Sequence, residues 1–263
     1  YPRCKACDRP MRRSNLTSDG VCSECAARLP KCKACGKTIV GAHFVHEFKG
    51  QYCWECQRTR PECHACGAPV GDIYWKLPDG RFLCHECKNQ SVFREEQMQQ
   101  IMKDVVGIVE RRLGLSVERP WTLRLDRLNT EGKASVQAAR QGLKIASPIS
   151  GNEMGVYIER GEKREIVLLY GLPIPMVYET AAHELAHAWQ AENCPPKQSL
   201  QLREGFAQWV AAKVLKYKGF DAALEKLQAR MDHPYGTGYH RVARIEASRG
   251  ESTVIEYVRT AVR

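Results

Sequence analysis

Long apolar runs are missing from this chain of 263 residues. No stretch approaches the ~18 consecutive apolar residues of a bilayer-spanning helix, so no membrane partner is expected. No secretory leader is visible, which gives a cytoplasmic expectation. A block of Lys and Arg able to track a phosphate backbone is also absent, although the formal charge is +10. The first residue is Tyr1 rather than methionine, so the chain reads as a fragment of a longer one.

Cysteine is the opposite case. Of 13 cysteines, 12 fall in six Cys-x-x-Cys pairs: Cys4/Cys7, Cys22/Cys25, Cys32/Cys35, Cys53/Cys56, Cys63/Cys66 and Cys84/Cys87. Three units of about 30 residues repeat the pattern. They open on "CKACDRPM", "CKACGKTI" and "CHACGAPV" and close on "GVCSEC", "GQYCWEC" and "GRFLCHEC". One such turn brings two thiolates to an ion and a second completes a tetrahedron. Units this small cannot hold a core alone, so the metal supplies folding energy. A disulfide framework or a single redox motif fits three matched sets poorly. Three structural zinc sites are therefore expected. His43, His46, His64 and His85 are expected at the surface, and Cys194 as a free thiol.

The cysteines also account for the charge. Residues 1–90 hold 15 Lys/Arg against 9 Asp/Glu, and residues 91–263 hold 25 against 21. Three zinc ions in four thiolates each would carry six negative charges and neutralise the first segment. No nucleic-acid partner is expected.

Beyond the repeats, residues 91–113 alternate apolar and polar side chains at helical spacing and read as a linker helix. Strands are expected at "WTLRLDRL" (121–128), "MGVYIER" (154–160) and "EIVLLYG" (165–171), the last two joined by a turn at 160–163. The strand 165–171 is expected at the edge of a cleft, where an extended substrate adds as another strand. Residues 129–150 read as a loop. Helices then follow at about 175–192, 199–218, 221–231, 238–249 and 252–263. The expected fold class is α+β: residues 1–90 as zinc modules (about 1–28, 29–59 and 60–90), LIM-like, treble-clef or ribbon, then the 91–113 linker, then a 114–263 domain with a small sheet and a helical bundle.

The stretch "ETAAHELAHAWQ" holds the motif with most chemistry. His183 and His187 are four apart, so both leave one helix face and can grip one ion. Glu184, about 100° round from His183, stands where a general base for attacking water belongs. A third ligand is needed. No histidine stands six residues after His187, where Asn193 sits, and Glu192 points away. Glu204, early on the next helix beyond "CPPKQS", is the expected ligand, with Gly205 after it and Gln208 on its face. Glu179, one turn before His183, could orient a ligand histidine or face solvent. Gly236 and Gly238 imply a tight loop presenting His233, Tyr235, Tyr239 and His240, any of which could steady an oxyanion.

"VLLYGLPIPMVYETAAHELAHAWQ", "LREGFAQWVAAKVL", a late "YGTG" and the third zinc unit "CHACGAPVGDIYWKLPDGRFLCHECKNQSV" occur in the order that resembles the DA-one family. These are plant organ-size regulators with LIM-type zinc modules and a C-terminal zinc peptidase, with relatives in bacteria. The resemblance covers roughly residues 60–245. It implies a gluzincin-like peptidase with His183, His187 and Glu204 on one catalytic zinc, Glu184 as catalytic glutamate, and Tyr235, with His240, as candidates for the remaining catalytic role. It implies protein substrates. It also brings ubiquitin or ubiquitinated proteins as partners, because plant members are latent endopeptidases activated by ubiquitin. No ubiquitin-interacting helix is visible, and a true LIM domain separates its modules by two residues where both gaps here are six. The chemistry carries over, the ubiquitin switch does not, and a bacterial-type relative is expected. The rival expectations are a latent or inactive peptidase-like adaptor working through its zinc modules, and a nucleic-acid-binding zinc-module protein.

Overall fold

The computed structural model describes residues 1–46, 49–126 and 154–262. The chain divides into two units, Tyr1–Asn89 and Gln90–Arg263. The expected loop 129–150 lies outside the described residues.

In the first unit, every opening Cys-x-x-Cys forms a tight turn. The carbonyls of Cys4, Cys32 and Cys63 accept from the backbone N–H of Asp8, Gly36 and Gly67. Every closing pair sits at the start of a short helix: α1 (Ser23–Arg28), α2 (Trp54–Thr59) and α3 (His85–Asn89). In the second module the two are joined by antiparallel strands β1 (His43–His46) and β2 (Gly50–Cys53), in the third by β3 (Tyr74–Lys76) and β4 (Phe82–Cys84). In the first module the bridge between Leu16 and Cys22 stands in place of these strands. Turn plus helix is the treble-clef layout. A ribbon would place the second pair in another turn rather than on a helix.

The apolar interior of these modules is small. In the first, Val21 packs only with cysteines and a few partly buried side chains; in the second, Ile39 and Tyr52 pack with Cys32, Cys56 and two alanines. Burial on that scale cannot offset the entropy of ordering some 30 residues. Of the histidines expected at the surface, His43 and His85 are exposed and His46 and His64 half-buried; the His64 Nε2 is enclosed, and burial lowers the pKa of its ring.

The second unit opens with α4 (Glu95–Leu113), ended by Gly114 at φ 63°. Met98, Ile101, Met102, Val105, Ile108, Val109 and Leu113 recur every three or four residues and are all buried. They join the core of this unit. The helix expected as a linker is thus a structural member of the second unit, because its apolar stripe needs a partner to cover it.

Among the described residues three strands form the sheet, in the order β5 (Thr122–Asp126), β7 (Lys163–Leu169), β6 (Gly155–Arg160). β5 runs parallel to β7, and β6 antiparallel to it through a hairpin closed at Arg160 and Lys163. β7 is therefore central and bonded on both sides. The expectation that residues 165–171 form a cleft edge is corrected: the edge in that hairpin is β6. Near-continuous burial from Ile166 to Leu169 is the pattern of an inner strand.

Five helices follow: α5 (Ile174–Asn193), α6 (Leu200–Lys218), α7 (Asp221–Gln228), α8 (Tyr235–Arg249) and α9 (Glu251–Thr260). Pro175 sits in the first turn of α5, where its missing N–H costs nothing, and the helix stops before Pro195 and Pro196. The Ser199 side chain caps the Leu202 N–H at the start of α6, and Gly219 ends it at φ 70°. α8 begins at Tyr235, so Gly236 and Gly238 lie in its first turn rather than in the expected loop. No helix among the described residues is long and apolar enough to cross a membrane.

Candidate metal centre

Helices α5 and α6 run antiparallel around the "CPPKQS" bend, which sets His187 near the start of α6 and His183 one turn deeper. Glu204 is fully buried and His187 nearly so. The three donor atoms form a nearly equilateral triangle. His183 Nε2 is 3.1 Å from His187 Nε2 and 3.2 Å from Glu204 Oε2, and His187 Nε2 is 3.4 Å from that same oxygen. With zinc bonds of ~2.0–2.1 Å, the edge of a tetrahedral ligand set is about 3.3 Å. The spacing of the three atoms thus suits a zinc ion with a fourth position left over. Burial would raise the Glu204 carboxyl, but His187 and His183 beside it hold it well below the usual range.

The far sides of both rings are held by glutamines. His183 Nδ1 donates to Gln208 Oε1 at 2.9 Å, and His187 Nδ1 donates to Gln190 Oε1 at 2.8 Å. The Gln190 amide donates to the Arg203 carbonyl at 3.2 Å, which turns its oxygen toward the ring. Each bond places the ring hydrogen on Nδ1 and leaves the Nε2 lone pair for a metal. Sequence reasoning assigned neither glutamine this part. The signal was available in the spacing: Gln208 follows Glu204 by one turn, and Gln190 follows His187 by three residues. Glu179 does not take the role, since Gln208 holds the His183 Nδ1 and the Nε2 faces Glu204 and His187; burial raises the Glu179 carboxyl, opposed by Arg230, His183 and Lys226. Glu192 points away as expected, accepting the backbone N–H of Glu118 and Arg119.

Glu184, next to His183 on α5, is buried. Its Oε2 accepts the backbone N–H of Tyr157 on β6 at 2.8 Å, which fixes the carboxylate between helix and sheet.

Two glycines bring a third helix to the site. A carbon added at Gly205 would lie 2.3 Å from the Gly238 carbonyl carbon, and one at Gly236 would lie 2.3 Å from the Arg230 carbonyl oxygen. Backbone-to-backbone contact between α6 and α8 therefore requires glycine at Gly205 and Gly238. This contact explains the glycines that looked like a loop. It sets Tyr235 beside the centre, its ring centroid 6.0 Å from that of His183. The Arg230 guanidinium covers that ring at 5.4 Å and pairs with Asp232. His240 is placed differently: its Nε2 meets the Arg230 carbonyl at 3.1 Å, so it braces the bend before α8. The His233 Nδ1 stands 3.3 Å from the Thr237 hydroxyl, and the Tyr239 hydroxyl accepts from Gln228.

The cysteines gather as three tetrads, Cys4/Cys7/Cys22/Cys25, Cys32/Cys35/Cys53/Cys56 and Cys63/Cys66/Cys84/Cys87, with all sulfurs of each within 4.8 Å of one another. Every cysteine is a free thiol. Cys35 and Cys53 sulfurs are 4.0 Å apart, as are those of Cys66 and Cys84. A disulfide needs ~2.05 Å, whereas a zinc tetrahedron with ~2.3 Å bonds has an edge of about 3.8 Å. Each set divides its charge unevenly: the Cys22 N–H holds Cys4 down to about 6, while the Cys22 thiol pushes Cys25 up to about 12. A divalent cation removes that conflict and lets all four ionise. These tetrads and the His-His-Glu group could each hold a metal ion, consistent with zinc. Cys194 stands apart, its thiol pushed up to about 11 by burial.

A protein of mixed helix and sheet with cysteine metal clusters and a His-His-Glu metal group is the class these features define. Two plant proteins are similar to the chain at a distance. Protein DA1-related 3 of Arabidopsis thaliana is 27% identical over 179 residues, covering 58% of this chain and 40% of the relative. Protein DA1-related 7 of the same plant is 27% identical over 240 residues, covering 78% of this chain and 43% of the relative. The chain thus spans about two fifths of the length of these curated relatives, and they support a distant relationship to the DA1 family. No family model matches the chain, and no solved structure matches it.

Proposed function

We propose that the chain is a zinc-dependent endopeptidase of the gluzincin kind, acting on protein substrates. The observation that carries this reading is the triangle of His183, His187 and Glu204, with the buried Glu184 carboxylate fixed on the same helix by the Tyr157 N–H. His183, His187 and Glu204 would hold the zinc, which when bound supplies a Lewis acid for a carbonyl and acidifies water. Glu184 takes the proton from the attacking water and returns it to the leaving amine. Its bond from the Tyr157 N–H holds the carboxylate in place for that transfer. Tyr235 donates to the oxyanion. His240 serves through the bend it braces. β6, the hairpin's outer strand, is where an extended substrate would pair.

The three cysteine tetrads hold structural zinc and present small modules that recruit the substrate or regulate access to it. The site is cytoplasmic in this reading, as reduced thiols require. Ubiquitin enters only through the family likeness. The chemistry is tested with Glu184→Gln, assayed on an unfolded protein such as casein. The variant keeps its metal and loses cleavage by about a thousandfold or more. Tyr235→Phe lowers kcat by about a hundredfold with little change in KM. Full activity of Glu184→Gln overturns the assignment.

A further inference from the structure

One strongly basic feature is absorbed by none of this chemistry. Helices α8 and α9 meet at Gly250 and flank an open surface cleft of about 400 Å³, lined by Arg241, Arg244, Ile245, Ser248, Arg249, Thr253 and Tyr257. Three arginines line it, all exposed. Arg241 donates to the Tyr257 hydroxyl at 3.0 Å and Arg244 to the His240 carbonyl at 3.2 Å, both neutral acceptors. Among the described residues none of the three has a carboxylate partner. The nearby acids are engaged elsewhere: Glu246 accepts from Trp209 and Lys213, and Glu251 pairs with the same Lys213. Glu256, exposed on α9, does not line the cleft.

Three like charges on one short surface repel, and among the described residues no carboxylate pairs with them to offset that. It is repaid when carboxylates arrive, because guanidiniums bind them through paired donors. The floor indicates what accompanies the charge. Ile245 and the Tyr257 ring are apolar, and the hydroxyls of Ser248 and Thr253 are spent on the carbonyls of Arg244 and Arg249. Such a floor suits an apolar side chain rather than a bare anion. A nucleic acid would need basic groups continuing along the surface. Here the flanks carry Glu251 and Glu256, and the whole stretch 91–263 is nearly balanced.

We propose that this cleft binds an acidic peptide segment, in which an aromatic or aliphatic side chain seats on Ile245 and Tyr257 and flanking carboxylates pair with Arg241, Arg244 and Arg249. The binding is independent of whether the metal centre hydrolyses anything.

The test uses fluorescence anisotropy on the full chain carrying Glu184→Gln, which prevents cutting of the probe. The probe is a short fluorescein-labelled peptide with one phenylalanine between runs of aspartate and glutamate. Exchanging Arg241→Glu and Arg249→Glu together weakens binding about tenfold or more. Ser248→Trp, which fills the cleft without changing charge, weakens it as well. The same charge change on α4, Lys103→Glu with Arg111→Glu, alters it by less than about twofold at 0.15 M salt. Absence of binding, equal weakening by the α4 pair, full displacement of the peptide by inorganic phosphate, or tighter binding of a single-stranded oligonucleotide of equal charge each overturns the proposal.

Discussion

Gly205→Ala links the fold to the centre most sharply. The added carbon would lie 2.3 Å from the Gly238 carbonyl carbon and 2.4 Å from its oxygen. Ordinary carbon contacts are ~3.5–4.0 Å, so α6 and α8 must part by about 1.2 Å. Overpacking a core costs about 1–3 kcal/mol. The obstruction here is backbone, which cannot rotate aside, so the cost falls near the upper end. At ~2–4 °C per kcal/mol for a unit of this size, melting drops by roughly 6–12 °C. Glu204 is the preceding residue. Displacing α6 by about an ångström spoils the 3.2 and 3.4 Å spacings to the histidines. The His-His-Glu site therefore loses zinc affinity while the three cysteine tetrads keep theirs. Thermal melting and chelator competition, run on the same preparation, measure both effects. A variant with native melting and native affinity at every site would refute the glycine contact as the element that sets Glu204.

Gln208→Ala removes the acceptor at His183 Nδ1 and is expected to weaken zinc at the His-His-Glu group about 10–100-fold without changing melting of the metal-free protein; chelator competition reads it. Asp104 ties α4 to α5 and α6, accepting from Lys218 Nζ and the Tyr178 hydroxyl, each at 2.7 Å. Lys218, then Tyr178, lower its pKa. A lowered carboxyl stabilises the fold above its unfolded value of ~3.9 and ceases to do so as pH falls through the folded one. Asp104→Asn therefore costs about 1 kcal/mol at pH 7, a modest figure for a partly exposed pair. Urea titrations should show the difference from wild type vanishing as pH drops below about 3.9.

Local spacing made the metal groups readable in the sequence. Cys-x-x-Cys and His-Glu-x-x-His each fix two donors on one turn, and a Pro-Pro bend followed by a Ser-capped helix returns Glu204 to them. What the sequence hid was long-range. Whether 165–171 is an edge or a centre depends on β5 pairing in parallel with it, and no local pattern reports that partner. Gly236 and Gly238 read as a loop because glycine breaks helices on propensity alone. Their reason is the backbone of α6 and of Arg230, which only tertiary packing supplies. Helix 91–113 read as a linker because its apolar stripe names no partner. The two glutamines carried a signal in their spacing, but a neutral amide can orient a ring as well as a carboxylate does, and a search for carboxylates passes over it.

The central claim is that the His-His-Glu group holds a metal of its own beside the three cysteine sites. Zinc counted per chain by mass spectrometry, on protein loaded and then freed of loosely bound metal, tests it most directly. The account predicts four for the wild type and three for His183→Ala with His187→Ala. Three in the wild type, or four in that double variant, would contradict it.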